Sequence, residues 1–441
     1  MKKAFFEICD FLETKLAPKE RFSAYFNGED SSFVRFNGGH IRQPGSVLQK
    51  TLDFRLIVGS KQAVQSISLT GDKAEDEKML EKCLFSLRER LSAVADDPFL
   101  LTPAAKEDTS QELLGQIPAA QDVVSSIFDC SRDLDLVGIY AQGKILSGFC
   151  DSNGQKNWFE SDNFHFDWSL YAGEGKAVKQ SYAGRVFEED TLRQKIEEGK
   201  KELSLLTKPR KSLRPGKYRV YLAPSAMEEI MGMLSWGGFS RRNLETKQSP
   251  LLRLKKEQEK LHESVFLSEN LETGYSPRFN HEGFIKPDRV PLIEKGLLTG
   301  ALTSPRTEKE FSLDGHNGAN ESESFVSLTM AGGDIARDDV LKTLGTGLYI
   351  NNLWYLNYSD RAHCRLTGMT RFATFWVENG EIVACVDVMR FDETFYRMFG
   401  SGLVGLTKER EVMLSSETYG ERSTKSATLP GAVVDGFTLT L

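Results

Sequence analysis

GTGLYINNLWYLNYSDRAHCRLTGMTRFATFWVENGEIVACVDVMRF, residues 345–391, decides how the second half of this chain folds. Aromatic and β-branched runs are broken here by turn-forming residues, so the stretch reads as strand, link and tight hairpin. Its sharpest signal is Asn379–Gly380 between the alternating runs FWVE and EIVAC. An Asn-Gly pair in that setting predicts a type I′ turn, which needs φ > 0 at both central residues. Phe375, Val377, Ile382 and Cys385 are the candidate core positions.

Working outward, the chain is strand-rich from residue 275 onward. Upstream, Tyr218, Val220 and Leu222 alternate along a strand, and Ser225 with Glu228 predicts a capped helix over 225–236. That helix carries Met227, Ile230, Met231 and Leu234 on one face and stops at Gly237–Gly238. Before it lies TKPRKSLRPGK (207–217), with two prolines, five basic residues and little to bury. This stretch predicts a boundary between a domain over 1–206 and a domain over 217–441, with 207–216 as linker. In the first half, Phe5, Ile8, Cys9, Leu12 and Leu16 recur at helical spacing, as do Leu80, Cys83, Leu84, Leu87 and Leu91 ahead of Pro98. A third helix is predicted from Asp190–Thr191, burying Leu192, Ile196, Gly199 and Leu203. Strands are predicted at 33–41 and 51–69, and around 134–154 and 163–184, each broken by glycine turns. The fold class is α+β: two domains of mixed or antiparallel sheets with flanking helices, the second richer in strands.

At 441 residues the chain exceeds one ordinary core. A formal charge of −7 argues against a broad phosphate-binding face, so no direct nucleic-acid contact is expected. No apolar run approaches the ~20 residues of a membrane span. The N-terminus begins like a leader peptide, but Glu7, Asp10 and Glu13 interrupt its apolar centre. The six cysteines show no CxxC pair, and the expectation is buried free thiols in a reducing cytoplasm.

Three stretches resemble the TldD/PmbA family, which includes zinc-dependent peptidases and has been called a modulator of DNA gyrase. They are GKYRVYLAPSAMEEIM (216–231), PRFNHEGF…VPLIEKGLLTGALTS (277–304) and GLYI…TGMTR…FWVENGEIV within 345–383. In the catalytic branch the resemblance implies an HExxxH helix after the domain-opening strand, with a further cysteine ligand from the C-terminal part. Histidines one helical turn apart can share a zinc while the glutamate activates its water. Here the equivalent helix has no histidine, and no cysteine follows Arg397. Two other details depart from the non-catalytic branch: Thr367-Gly368-Met369-Thr370-Arg371 stands where TGDYS is usual, and Val388-Met389-Arg390-Phe391-Asp392 where an AGN run is usual. They point to a separate subgroup.

Other local patterns do not rebuild a zinc site. His262–Glu263 lacks a second histidine one turn on, and His281–Glu282 runs straight into Gly283. His363 and Cys364 are adjacent, and neighbours on a strand face opposite ways. The glycine-rich run Leu313–Gly318 reads as a flexible loop, and the resemblance implies that it leads into a strand facing the substrate cleft. The expectation is therefore a silent cytoplasmic subunit with no catalytic residue, metal or cofactor of its own. It would form a heterodimer with an HExxxH-bearing relative, or a homodimer, around an unfolded or extended peptide. Edge-strand addition would hold that peptide, with 345–358 and 371–378 lining the cleft and Tyr349, Trp354 and Arg371 as contacts. The alternatives are a stand-alone hydrolase with a non-standard site and a non-enzymatic regulator linked to gyrase.

Overall fold

The computed structural model describes every residue of the chain except Glu174. Among the described residues the strands form two sheets, one of seven strands and one of fourteen, with helices packed against both. The fold is α+β, as the sequence predicts.

Six strands of the seven-stranded sheet run antiparallel as a meander, and the short Thr109–Leu113 pairs in parallel with Lys156–Ala172. Glu20–Asn37 lies between His40–Val58 and Asp135–Asp151, and Lys156–Ala172 follows. Alternation along these strands divides the labour of the two faces. Even-numbered residues such as Phe22, Phe26, Leu146 and Trp158 pack under the helices Lys2–Lys15 and Lys73–Ala93. Val34, Phe36, Tyr140, Phe166 and Trp168 do the same under Ala120–Cys130 and Glu189–Leu205. Odd-numbered side chains leave on the opposite face, toward the second half. There Tyr25, Phe149 and Phe159 cluster with Phe279. Gly283 comes so close to this cluster that a Cβ would sit 2.1 Å from the Phe149 ring, and its φ is +84°. Only glycine fits that approach.

Arg422 fastens the halves further along the same face. From the loop before strand Ser426–Leu439 it donates to Ser31 Oγ at 3.1 Å and to Asn163 Oδ1 at 2.6 Å. Its backbone N–H donates to Glu29 Oε2 at 3.1 Å.

The Asn379–Gly380 turn is built as expected, with φ of 52° and 84°. Phe375, Val377 and Cys385 are buried, and Ile382 is partly so. Elsewhere the sequence reading needs correction. The strand predicted at 33–41 begins earlier, at Glu20, and the polar Glu29 and Ser31 within it are partnered by Gln49 and Arg422. The helix Ala120–Cys130, without a side-chain cap, was not anticipated. Ser225 does not cap its helix. The helix runs Pro224–Met233 from N-cap Ala223, and Ser225 Oγ instead donates to the Asn351 carbonyl at 2.6 Å. Cys9 and Cys150 are not free thiols. The buried face of the first helix crosses strand Asp135–Asp151 with a Cα–Cα distance of 6.4 Å, within disulfide reach, and the two are bonded. Cys83, Cys130, Cys364 and Cys385 are free and buried. Within 207–216, Arg210–Lys211 is a short strand paired in parallel with Glu381–Val386. Among the described residues no helix is long and apolar enough to cross a membrane.

Candidate functional site

The helix Pro224–Met233 buries Ala226, Met227 and Ile230 in the second core and turns its other side to a cavity of about 770 Å³ between the halves. The first sheet contributes His165, Asp167 and Lys179 from its odd-numbered face. The helix contributes Glu228, Glu229 and Met231, and Trp236 lies just beyond its end. Phe325, Leu328, Tyr355, Leu356 and the loop around Ser415–Glu417 complete the wall.

Strand Trp354–Asp360 borders this cavity and pairs only with Arg365–Met369 among the described residues, leaving one edge free. Register shifts interrupt its one pairing. Tyr355 adopts φ +56°, a rare conformation for a non-glycine residue, and the residue is 74% exposed. The Tyr358 hydroxyl donates to the Met233 carbonyl at 2.8 Å, tying the strand to the end of the cavity helix.

The polar groups in the cavity are poorly compensated. Lys179 Nζ lies 3.8 Å from Asp167 Oδ2. Among the described residues no donor reaches the carboxylate of Glu228 or Glu229 within hydrogen-bond distance. Burial pushes Glu228 up to about 7, against the pull of Lys179, with Glu229 and Asp167 adding to the rise. Burial likewise raises Glu229 and Asp167. His165 is 3% exposed, and its Nε2 has no hydrogen-bond partner. Burial first, and then the positive charge of Arg422, lower its pKa to about 3, so the imidazole is neutral. Among the described residues no three His, Cys, Asp or Glu side chains are placed to share a metal ion.

Of the three residues singled out in the sequence, none lines this cavity. Tyr349 packs against Tyr221 and Phe375, and its hydroxyl donates to Glu202 Oε1 at 3.2 Å. Burial lifts Glu202 to about 7, although that hydroxyl works against the rise. Trp354 opens the free-edged strand, and the exposed Arg371 guanidinium stacks over its ring at 4.4 Å. The next two residues, Tyr355 and Leu356, are the ones that reach the cavity. Sequence reading missed Glu228 and Glu229 as site residues, although two adjacent carboxylates inside AMEEIMGML were the available signal. It also missed His165 and Asp167, whose spacing of two within NFHFDWSL puts them on one face of a strand.

Three further histidines have contacts of their own. His281 stacks on Tyr25 at 3.9 Å beside a second cavity of about 580 Å³, where Arg55 lies 3.6 Å from Glu282. His262 Nδ1 contacts Ser264 Oγ at 2.8 Å. His363 pairs with Asp360 at 2.7 Å in a turn, not on a strand, and Cys364 points inward there with φ 46°. The Leu313–Gly318 loop is pinned by Asn317, whose side chain accepts from the Thr303 N–H and donates to the Ala301 carbonyl.

Residues 215–441 match the PmbA/TldA metallopeptidase C-terminal domain. No curated protein matches the sequence. Among solved structures the chain is similar to TldE from Thermococcus kodakarensis, with a TM-score of 0.78 at 12% identity over 99% of this chain and 100% of that one. It is equally similar to a protein from Thermotoga maritima named as a candidate modulator of a DNA gyrase, with a TM-score of 0.78 at 14% identity and the same coverage. A further candidate modulator, from Bacteroides thetaiotaomicron, aligns with a TM-score of 0.73 at 16% identity over 100% of this chain and 98% of that one.

Proposed function

The chain belongs to the TldD/PmbA family, and from that premise we propose that it is a catalytically silent member, holding an extended peptide for an HExxxH-bearing relative to cut. One observation carries the reading: a cavity large enough for peptide side chains lies beside a strand with an unpaired edge. Main-chain hydrogen bonds along such an edge bind a peptide with little sequence preference, and the adjacent cavity takes its side chains. The helix at which the family resemblance implies zinc ligands offers Glu228, Glu229 and Met231 to that cavity instead. This supports silence, since a zinc site needs three or four convergent ligands. Trp354, at the start of the free-edged strand, and Arg371, stacked over its ring, are the proposed outer contacts. The acidic balance of the chain gives no support to direct DNA binding. The cytoplasm is the compartment proposed for this role. The Cys9–Cys150 bond stands against it, which makes a thiol count the test of that part.

The decisive experiment purifies the protein alone and together with an HExxxH relative from the same genome, then measures zinc content and cleavage of an unstructured peptide. Zinc and cleavage are expected only in the mixed assembly. Arg371→Glu should weaken peptide binding several-fold and leave the zinc content unchanged. Stoichiometric zinc with chelator-sensitive cleavage by this chain alone would defeat the silent reading. A relative that is fully active alone and never co-elutes would defeat the pairing.

A further inference from the structure

The cavity has an acidic floor and an aromatic rim. Four carboxylates, from Asp167, Glu228, Glu229 and Glu417, line it against only the two lysines Lys179 and Lys425. Glu228 and Glu229 stand side by side on the helix, and neither accepts a hydrogen bond from any described residue. Partly buried carboxylates left without a donor are unfavourable unless a cation or donor completes them. Independently of these acids, His165 is 3% exposed and lines the same space, and its Nε2 is unpartnered. A neutral imidazole nitrogen of this kind can exchange a hydrogen bond with a bound polar group. Around the opening, Tyr355 is 74% exposed and Trp236 53% exposed, although both are large aromatics. Aromatic faces beside carboxylates suit ammonium and guanidinium groups, which gain from the ring quadrupole and the negative charge together.

We propose that this cavity selects its peptide by a cationic group, a primary ammonium or a guanidinium, seated between Glu228, Glu229 and the exposed rings of Tyr355 and Trp236. This rests on the peptide-holding reading and adds the chemical class of the residue that is held. The bound cation supplies the donors that both carboxylates lack, beside the buried ring of His165. Lys179 is a resident competitor. It lies 3.8 Å from Asp167, makes no hydrogen bond to either helix carboxylate, and acts on both through its charge. The source of the cation is either a Lys or Arg side chain within the peptide or its free N-terminus.

Calorimetric titration of the full chain with three short unstructured peptides separates these. One is acetylated with a central lysine, one has a free N-terminus and no basic side chain, and one is acetylated with neither. At least one charged peptide should bind about tenfold or more tightly than the uncharged one, and which of them does so names the source. Glu228→Gln with Glu229→Gln should erase that preference, bringing the charged peptides to the affinity of the uncharged one. Lys179→Gln, removing the competitor, should widen the preference, so the two variants move the result in opposite directions. Equal binding of all three peptides would overturn the cation site and leave the peptide cleft standing. No binding of any peptide would overturn the cleft itself, and the cation site with it.

Discussion

The two sheets are built by different rules, and the cavity sits where they meet. The first uses strands of up to 19 residues in nearly continuous register. One face of it is apolar under four helices, and the other carries polar side chains toward the second half. The second sheet threads 14 strands, most of them short, through parallel and antiparallel pairings with repeated register shifts. Long regular strands fix side chains in place, while short interrupted ones leave edges and exposed rings. The first half thus supplies a rigid polar floor in His165, Asp167 and Lys179. The second supplies the free edge and the aromatic rim.

The largest effect expected tests the rigidity of the first half. The Cys9–Cys150 bond closes a loop across 141 residues, and such a cross-link typically contributes about 2–5 kcal/mol. Cys150→Ala should lower the urea midpoint by a corresponding amount. Alkylation of the denatured, unreduced protein should label four cysteines. Six labelled cysteines would restore the free-thiol reading and remove the covalent difference between the halves.

Arg422 tests whether the two rules are coupled. Arg422→Met removes the guanidinium from Ser31 and Asn163, leaving buried polar groups without partners at a loss of about 3 kcal/mol. If the boundary proposed between 206 and 217 is right, unfolding should also split into two transitions, one for each half. A single transition at the parental midpoint would show that the clasp does not hold the halves together.

Gly380→Val probes the most regular piece of the second half. With φ of 84° at Gly380, a β-branched residue should be strained by on the order of 1–3 kcal/mol, read as a lower melting temperature. An unchanged melting temperature would mean that the turn relaxes to another type.

How far each half could be read from sequence follows the same division. Helical stripes such as Phe5, Cys9 and Leu12, and the Asn379–Gly380 turn, are local signals, and the structure keeps them. The strand over Glu20–Ser32 is hidden because Glu29 and Ser31 serve a partner almost four hundred residues away, which no local pattern encodes. Ser225 carried the right residue type for a cap but found the Asn351 carbonyl instead, a competition settled only by tertiary contact. The candidate cavity is the least legible part. Tyr349, Trp354 and Arg371 lie on the stretches that resemble the family most, whereas the cavity is lined by their neighbours and by a strand from the other half. Tyr355 departs from regular strand geometry at φ +56°, so both it and Leu356 face the cavity while Trp354 does not.

The smallest effect concerns the cavity helix alone. Glu228 has an ordinary carboxyl value of 4.5 when unfolded and is raised to about 7 in the fold, chiefly by burial. The folded protein therefore prefers it protonated. That preference is fully present below the unfolded value and is lost as pH rises through the folded one. Ionisation in the cavity leaves a charge facing Glu229 and Asp167, with Lys179 its one opposing neighbour among the groups that shift it. Glu228→Gln should consequently be more stable than the parent by about 1 kcal/mol near pH 8, the shift being discounted for partial exposure, and indistinguishable from it near pH 4. Glu202 titrates in the same window in both proteins, so the difference between the two melting curves isolates Glu228. If the variant is less stable than the parent at high pH, Glu228 is already paired, and the acidic floor holds no vacancy for a cation.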